Sequence, residues 1–498
     1  MTPAPLSIPT SALLPDSPMA REEPHRAPLF GRLDMAPSAG HVGSFWHVTD
    51  WHLNAFQPAD ADAKDMCRTL ASSASAERPG PFGHPDCDPT PEAWRQALSS
   101  LVGFHPSPDF IFAGGDWYGH VAPRFEAERS VRAATTMIAR MLEESFPGVP
   151  VLHTIGNHDT WPYYSQAPAW RSMERDWSDA LGEEYIARNF PAEALGTWRR
   201  GGYHARSLGR LRAVVLNTNQ LALGGGDEQL SWLEEELRQA RQRRQTVLLM
   251  GHIPPGPSHF ELDSICVAGH YYQRAGGACW DGRAQARLLA LLRAYGDVVP
   301  SSLWGHHHTE SVRVIGDAKD DAAAAVHTMY LSPALTPRNP PHDPAVRLYR
   351  YHRHTGQLLN YTDFSFELRQ ANRDGAIAWR RSSPLHAPPL NLSDLSPVSW
   401  QRALSAVLEV DSRPRARHEL AVTDPFLQLI SPRRCAQEVY IDSGDAAVPP
   451  LRRCKMAMMC AMLHLEDEPY ARCISGGTGK PKRSLEEQTD EGEGGAAW

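Results

Sequence analysis

No stretch of this 498-residue chain approaches the ~18 to 20 consecutive apolar residues of a membrane-spanning helix, so no transmembrane segment is expected. The N-terminus, MTPAPLSIPTSALLPDSPMAREEPHRAPLF, lacks a basic start followed by an apolar core and does not read as a signal peptide. Excess positive charge is missing as well. The formal net charge is −8, which argues against a nucleic-acid polymer as partner. It leaves room for a small phosphorylated substrate held through a metal. No C-x-x-C pair occurs, which disfavours a zinc ribbon, and no internal repeat is visible.

What is there is ordinary for a soluble globular protein: 22% charged and 42% hydrophobic residues. The eight cysteines fall in local groups. Cys67 and Cys87 bracket one Gly/Pro loop, Cys266 and Cys279 bracket another, and Cys435, Cys454, Cys460 and Cys473 crowd near the end. An even number in local groups points to disulfides and an oxidising compartment. Proximity suggests Cys67 with Cys87 and Cys266 with Cys279, while the last four allow three pairings. Sequons at Asn360 and Asn391 agree with a secreted glycoprotein. The cysteines outweigh the unreadable signal, and the expectation is a secreted protein or one in the lysosomal or endomembrane lumen.

Residues 1–40 are Pro-rich, without apolar period, and read as disordered. Between 41 and 366, short apolar runs alternate with helical patterns, which predicts an α/β layered domain. DFIFAGGD, VPVLHTIGNHD, LRAVVLNTN and TVLLMGH read as strands. RFEAERSVRAATTMIARMLEESF reads as an amphipathic helix, and so does DEQLSWLEEELRQARQRR, with Asp227 as N-cap. The basic run at 238–244 sits at a helix C-terminus, where cations suit the dipole. LLALLRAY is read as a buried helix face. Residues 367–474 read as a small helical domain tied by cysteines, and 475–498 as a disordered tail.

The stretch FWHVTDWHLN carries the first chemical signal: an apolar run ends in Asp50, with His52 two residues later. The same kind of ending recurs four more times. Gly115-Asp116 closes a strand, with His120 four residues on. Gly156-Asn157-His158-Asp159, Gly251-His252 and Gly305-His306-His307-His308 close three others. In open α/β sheets ligands bind beyond the carboxyl ends of the strands, so five such endings converge on one place. Imidazole nitrogens and carboxylate oxygens suit zinc and other first-row divalent ions. The set is too large for one tetrahedral ion but suits two, with a carboxylate as bridge.

This ordered set, D-x-H, G-D, G-N-H-D, G-H and G-H-x-H, resembles the calcineurin-like metallophosphoesterases. GNHDTWP, GHIPPG, GHHHTESV, GPFG with CD at Cys87, SPALTP and CKMAMMCAMLHLEDEPYARC look like its acid sphingomyelinase branch. The resemblance covers residues 43 to 474. It implies a four-layer α/β/β/α metallophosphoesterase sandwich with a small helical C-terminal domain. It also implies two divalent ions, zinc by preference. Asp50, His52, Asp116 and His308 would hold one ion, and Asp116, Asn157, His252 and His306 the other, so that Asp116 bridges. His307 falls at the variable position and reads as an exposed loop histidine.

By the same resemblance the ions activate a shared water for in-line attack on phosphorus, and an imidazolium protonates the leaving oxygen. His158 is the first candidate for that acid and His120 the second, while Asp159 is read as holding its neighbours' geometry. An acid of this kind needs a pH near or below ~6.5, which suits acidic compartments. The protein Ser/Thr phosphatases of this fold carry an Arg soon after G-D, and purple acid phosphatases a Tyr three residues after the Asp. Here the block reads GDWYGHVAPR, with Gly119 at that position, which favours a phosphodiester. Tyr118 is read as packing or lining the pocket. Trp161, Pro162, Tyr163 and Tyr164 either line a substrate cleft or pack as a loop cluster.

The expected activity is hydrolysis of phosphodiester or phosphoanhydride bonds in small nucleotide- or choline-phosphate-type substrates. The alternative is a sphingomyelin phosphodiesterase releasing phosphocholine and ceramide, with membrane-surface contact. Residues 1–44 contain no cysteine and are too short for the saposin domain of the family's lipid-hydrolysing member, which disfavours that alternative. A catalytically silent binding protein is disfavoured because every ligand position is filled.

Overall fold

In the computed structural model, residues 41–474 are described apart from 56, 58–59, 71–76, 121–126, 166–167, 258–279, 317–323, 339–341, 386–389, 391 and 412–458. The disorder expected of 1–40 and 475–498, the Cys266–Cys279 pairing, Cys435, Cys454 and Asn391 all lie outside the described residues.

Two six-stranded sheets face one another. The first runs β12 (Arg380–Ser382), β11 (Leu358–Ser365), β10 (Ala345–His352), β1 (Val42–Val48), β2 (Phe110–Ala113), β3 (Val151–His153). The second runs β4 (His204–Leu208), β5 (Leu211–Val215), β6 (Thr246–Met250), β7 (Ser301–Trp304), β9 (His327–Leu331), β8 (Ser311–Ile315). β1, β2 and β3 are mutually parallel, as are β5, β6, β7 and β9. Their carboxyl ends therefore point to a common edge within each sheet.

Alternation along the strands makes the layers. Phe45, Phe110 and Phe112 meet Leu211, Ala213, Val215, Leu248 and Met250 in one apolar cluster between the sheets. Their neighbours Trp46, Ile111 and Ala113 face outward against α1 (Pro91–Phe104), α2 (Ala127–Ser145) and α3 (Ala169–Leu181). Val214, Val247 and Leu249 face outward on the other side, against α4 (Asp227–Arg243) and α5 (Gly282–Ala294). The central strands are covered on both faces, so β2, β5 and β6 are apolar at nearly every position. This is the four-layer α/β/β/α sandwich.

Local reasons for the elements are legible. α1 starts where Thr90 accepts from the Ala93 amide and Pro91 fills the first turn. α4 begins one residue earlier than read: Gly226, in the left-handed region, is its N-cap, and Asp227 sits in the first turn, where its charge suits the dipole. At its other end Arg238 pairs with Glu235 and Arg241 with Asp297, so the basic run is solvated and paired. Leu288, Leu289, Leu291 and Leu292 of α5 are buried. No helix among the described residues is long and apolar enough to cross a membrane.

Beyond residue 366 the chain adds β12 to the sheet edge, pairing with β11. Its arginine-rich, exposed sequence carries no apolar alternation, so it gives no strand signal. Trp400 and Leu404 of a helix at Pro397–Asp411, with Met459 and Met462, join the apolar cluster between the sheets. Disulfides join Cys67 to Cys87 and Cys460 to Cys473.

Candidate metal centre

The five strand endings meet. Asp50 follows β1, Asp116 follows β2, Asn157 follows β3, His252 follows β6, and His306 and His308 follow β7. Two groups of buried side chains there could hold a metal ion. Asp50, His52, Asp116 and His308 form one, Asp116, His252 and His306 the other, with ligand atoms within 4.8 Å of one another in each. Asn157 joins the second through its Oδ1, 3.1 Å from His252 Nε2. Asp116 belongs to both: its Oδ2 lies 3.2 Å from His252 Nε2 and 3.5 Å from His52 Nε2.

The backbone is bent hard to bring these groups in. Nine non-glycine residues among those described have positive φ, and five are Asp50, His52, Asp116, His306 and His308. Such conformations cost energy for side chains with a Cβ, and they gather where surrounding structure enforces them. Asp159 supplies part of the enforcement. Its Oδ2 accepts from the amides of Asp116 at 2.9 Å and Gly156 at 2.7 Å, and its Oδ1 from Trp117 at 2.7 Å. It stitches the β2 ending to the β3 ending, the geometric role read from the sequence. Gly156 must be glycine, because a Cβ there would run into the Asp116 backbone and carboxylate.

The histidines are set by their second nitrogens. His52 Nδ1 lies 3.2 Å from the Tyr118 carbonyl, His252 Nδ1 2.7 Å from Gly114, and His308 Nδ1 2.7 Å from Arg338. A carbonyl only accepts, so each Nδ1 donates and each Nε2 turns its lone pair inward, as in metal-binding histidines. His52 Nε2 and His308 Nε2 stand 3.0 Å apart, an arrangement that needs positive charge to share. Two fully buried carboxylates demand the same. Burial opposes charge on His252, yet Asp116 and Asp50 raise it to about 9, and His308 is also raised. Burial would raise Asp116, but the imidazoles, His252 foremost, hold it well below the usual range. Burial instead pushes His306 down to about 3. A buried pair of carboxylates ringed by inward lone pairs fits divalent cations.

Beside this centre stand His120 and His158. The His52 and His120 rings stack with centroids 4.0 Å apart, and His158 meets them edge-on at 4.8 and 4.6 Å. Burial pushes His158 down to about 4. His120 has a partner that sequence reasoning did not single out. Asp88, fully buried, holds the His120 ring Nδ1 at 2.8 Å and its amide at 2.6 Å. Asp88 entered the sequence reading only as part of the CD at Cys87, without a role, and the Cys67–Cys87 disulfide fixes that loop.

Other contributors were equally silent in the sequence. Thr49 Oγ1 donates to Asp50 at 2.7 Å, and Asn219 Nδ2 to the Gly156 carbonyl at 2.9 Å. Arg313, fully buried, donates to the carbonyls of Pro255 and, at 2.6 Å, Pro257, holding the loop that follows His252. One reading is corrected. His307 is only 2% exposed, not an exposed loop histidine, because the whole Gly305–Thr309 turn is packed in. Tyr118 is buried in the helix-side core, and Tyr163 donates to the Gly119 carbonyl with its ring 4.2 Å from His158. Trp161 stands 39% exposed beside Tyr163.

Comparison with known proteins follows this geometry. A model of the calcineurin-like phosphoesterases matches residues 43–310, and one of the acid sphingomyelin phosphodiesterase C-terminal region matches 324–480. The human cyclic GMP-AMP phosphodiesterase SMPDL3A is 26% identical over 471 residues, covering 89% of this chain and 93% of that protein. Human acid sphingomyelinase-like phosphodiesterase 3b is 25% identical over 466 residues, covering 89% and 93%. Sphingomyelinase phosphodiesterase C of Dictyostelium discoideum is 26% identical over 460 residues, covering 87% and 92%.

Proposed function

The chain belongs to the calcineurin-like phosphoesterases, in their acid sphingomyelinase-like branch, and from that premise we propose which bonds this metal-dependent phosphodiesterase cleaves. The substrates are small soluble phosphodiesters or phosphoanhydrides of nucleotide or choline-phosphate type. Asp50, His52, Asp116 and His308 would hold one ion, and Asp116, Asn157, His252 and His306 the other. The nitrogen-rich donor set favours zinc over magnesium. When bound, the ions supply Lewis acidity that activates water and offsets charge on the phosphoryl oxygens.

The chain's own part is to deliver a proton. A phosphodiester leaves behind an alkoxide unless its oxygen is protonated, and positioned acids contribute about 10²- to 10⁴-fold. His120 takes that role here, ahead of His158. The Asp88 carboxylate behind it holds Nδ1, which fixes the ring's orientation and leaves Nε2 as the working atom. His158, depressed to about 4, acts at working pH as a neutral partner to a substrate oxygen. The single observation that carries this reading is the Asp88-backed His120 ring stacked on His52. Trp161 and Tyr163 offer faces for a nucleobase or a choline cation.

A second reading, sphingomyelin hydrolysis, is favoured by the match at 324–480 to the C-terminal region of acid sphingomyelin phosphodiesterase. The disulfides Cys67–Cys87 and Cys460–Cys473 support a secreted or lysosomal lumen location for either activity. Turnover at pH 5 and 7 of zinc-loaded protein on ATP, CDP-choline and micellar sphingomyelin separates the two. Release from the soluble set alone is expected. Dominant sphingomyelin turnover would overturn the substrate assignment and leave the metal centre standing.

A further inference from the structure

Beyond the two clusters that share Asp116, the centre contains a third: the ligand nitrogens of His52, His120 and His158 lie within 4.8 Å of one another. His52 Nε2 is committed to the first group, 3.5 Å from Asp116 and 3.0 Å from His308 Nε2. That leaves His120 and His158 as a pair of imidazoles facing a common space. Two nitrogens bound to one tetrahedral zinc at ~2.05 Å stand ~3.4 Å apart, so a small side-chain adjustment closes the pair on an ion.

Each histidine is prepared for such an ion. His120 is held at Nδ1 by a buried carboxylate, the carboxylate–histidine arrangement that fixes the ring's orientation and leaves Nε2 to bind a metal. His158 has a buried Nδ1 with no hydrogen-bond partner. Asp88 and Asp116 bring negative charge to the place. Asp88 touches His120 directly, and Asp116 Oδ1 accepts from the His158 amide at 2.8 Å. Both rings are only partly buried, whereas the other seven centre residues are buried, so an ion from solvent reaches this pair.

We propose that His120 and His158 form a third, lower-affinity cation site that takes zinc and switches the enzyme off. This rests on the two-ion reading above and deepens it. A zinc ion at His120 Nε2 occupies the atom that carries the leaving-group proton, so proton delivery stops. The remaining coordination positions go to water or substrate oxygen. Magnesium, an oxygen-seeking ion, does not compete for two imidazoles.

The test is zinc stoichiometry of the full chain by equilibrium dialysis from micromolar to millimolar free zinc, with turnover measured in parallel. Three zinc ions are expected at the high end, the third binding as turnover falls, and magnesium leaves turnover unchanged. His120→Gln and His158→Gln should each retain two ions and lose the third. Anomalous diffraction at the zinc edge from wild-type crystals soaked in zinc serves if either variant fails to fold, with a peak expected between the two rings. A plateau at two ions with no such peak, or a third ion that persists in both variants, overturns the proposal. Loss of the first two ions in wild type would overturn the two-ion reading instead, so the two failures are distinguishable.

Discussion

Asp88 grips His120 at two points, its Oδ2 accepting from the backbone amide at 2.6 Å while its Oδ1 holds ring Nδ1 at 2.8 Å. The backbone contact fixes where the ring starts and the side-chain contact fixes how it turns. Asp88 is a positioning residue, and its own effect must pass through His120.

Asp88→Asn should therefore lower kcat about 10²-fold on a substrate with an alkoxide leaving group. On a nitrophenyl phosphodiester, whose leaving group departs without a proton, the loss should be small, and zinc content should be unchanged. Steady-state kinetics on the two substrates checks this. Equal losses on both would mean that Asp88 supports the fold rather than the proton donor.

Asp116→Ala removes the carboxylate shared by the two groups, 3.2 Å from His252 and 3.5 Å from His52. Bound metal per chain should fall below one, and turnover should drop to background. Elemental analysis after gel filtration reads the first and the soluble-substrate assay the second. Two retained ions would sink the bridging assignment.

Gly156→Ala places a methyl against the Asp116 backbone and carboxylate. Overpacking of this kind costs about 1–3 kcal/mol, and here it also displaces the bridge. Thermal denaturation should show a lowered midpoint both with zinc and with chelator, together with weakened zinc affinity. An unchanged midpoint would mean that the turn has slack.

Cys67→Ser with Cys87→Ser opens a loop of sequence separation 20. The chain-entropy model assigns about 3 kcal/mol to closing such a loop. Asp88 follows the second cysteine directly, so activity on alkoxide-leaving substrates should fall more than zinc content does. Denaturant unfolding together with the two-substrate assay reads both effects.

Stability should fall between pH 7 and 5. His204 and His327 are fully buried away from the metal centre, and burial depresses each to about 4. Between ~6.5 and about 4 the unfolded chain takes up protons there that the folded chain refuses. Protonation thus favours unfolding as pH drops, costing about 2 kcal/mol per histidine at pH 5. Denaturant midpoints at the two pH values check the sign, and His327→Gln should flatten the slope. A rise in stability on acidification would mean that other groups dominate.

The sequence by itself determined the order of the chemistry. Asp50, His52, Asp116, Asn157, His252, His306 and His308 each follow an apolar run, and an apolar run bounded by glycine is a local signal that needs no third dimension. Parallel strands then carry the endings to a common edge within each sheet, so an α/β layered domain followed from the same pattern, while the four-layer sandwich was an expectation of the family resemblance. Tertiary structure decided what no local rule encodes. Asp88 lies 32 residues from His120, and only the folded loop closed by Cys67–Cys87 brings its carboxylate to the ring. Arg313 and Asn219 reach site loops across wider gaps, 56 and 63 residues. The contact on which the proposal of His120 as proton donor rests, its ring Nδ1 on Asp88, also exists only in the fold. Burial and a carboxylate placed behind an imidazole are properties of neighbours that only folding supplies.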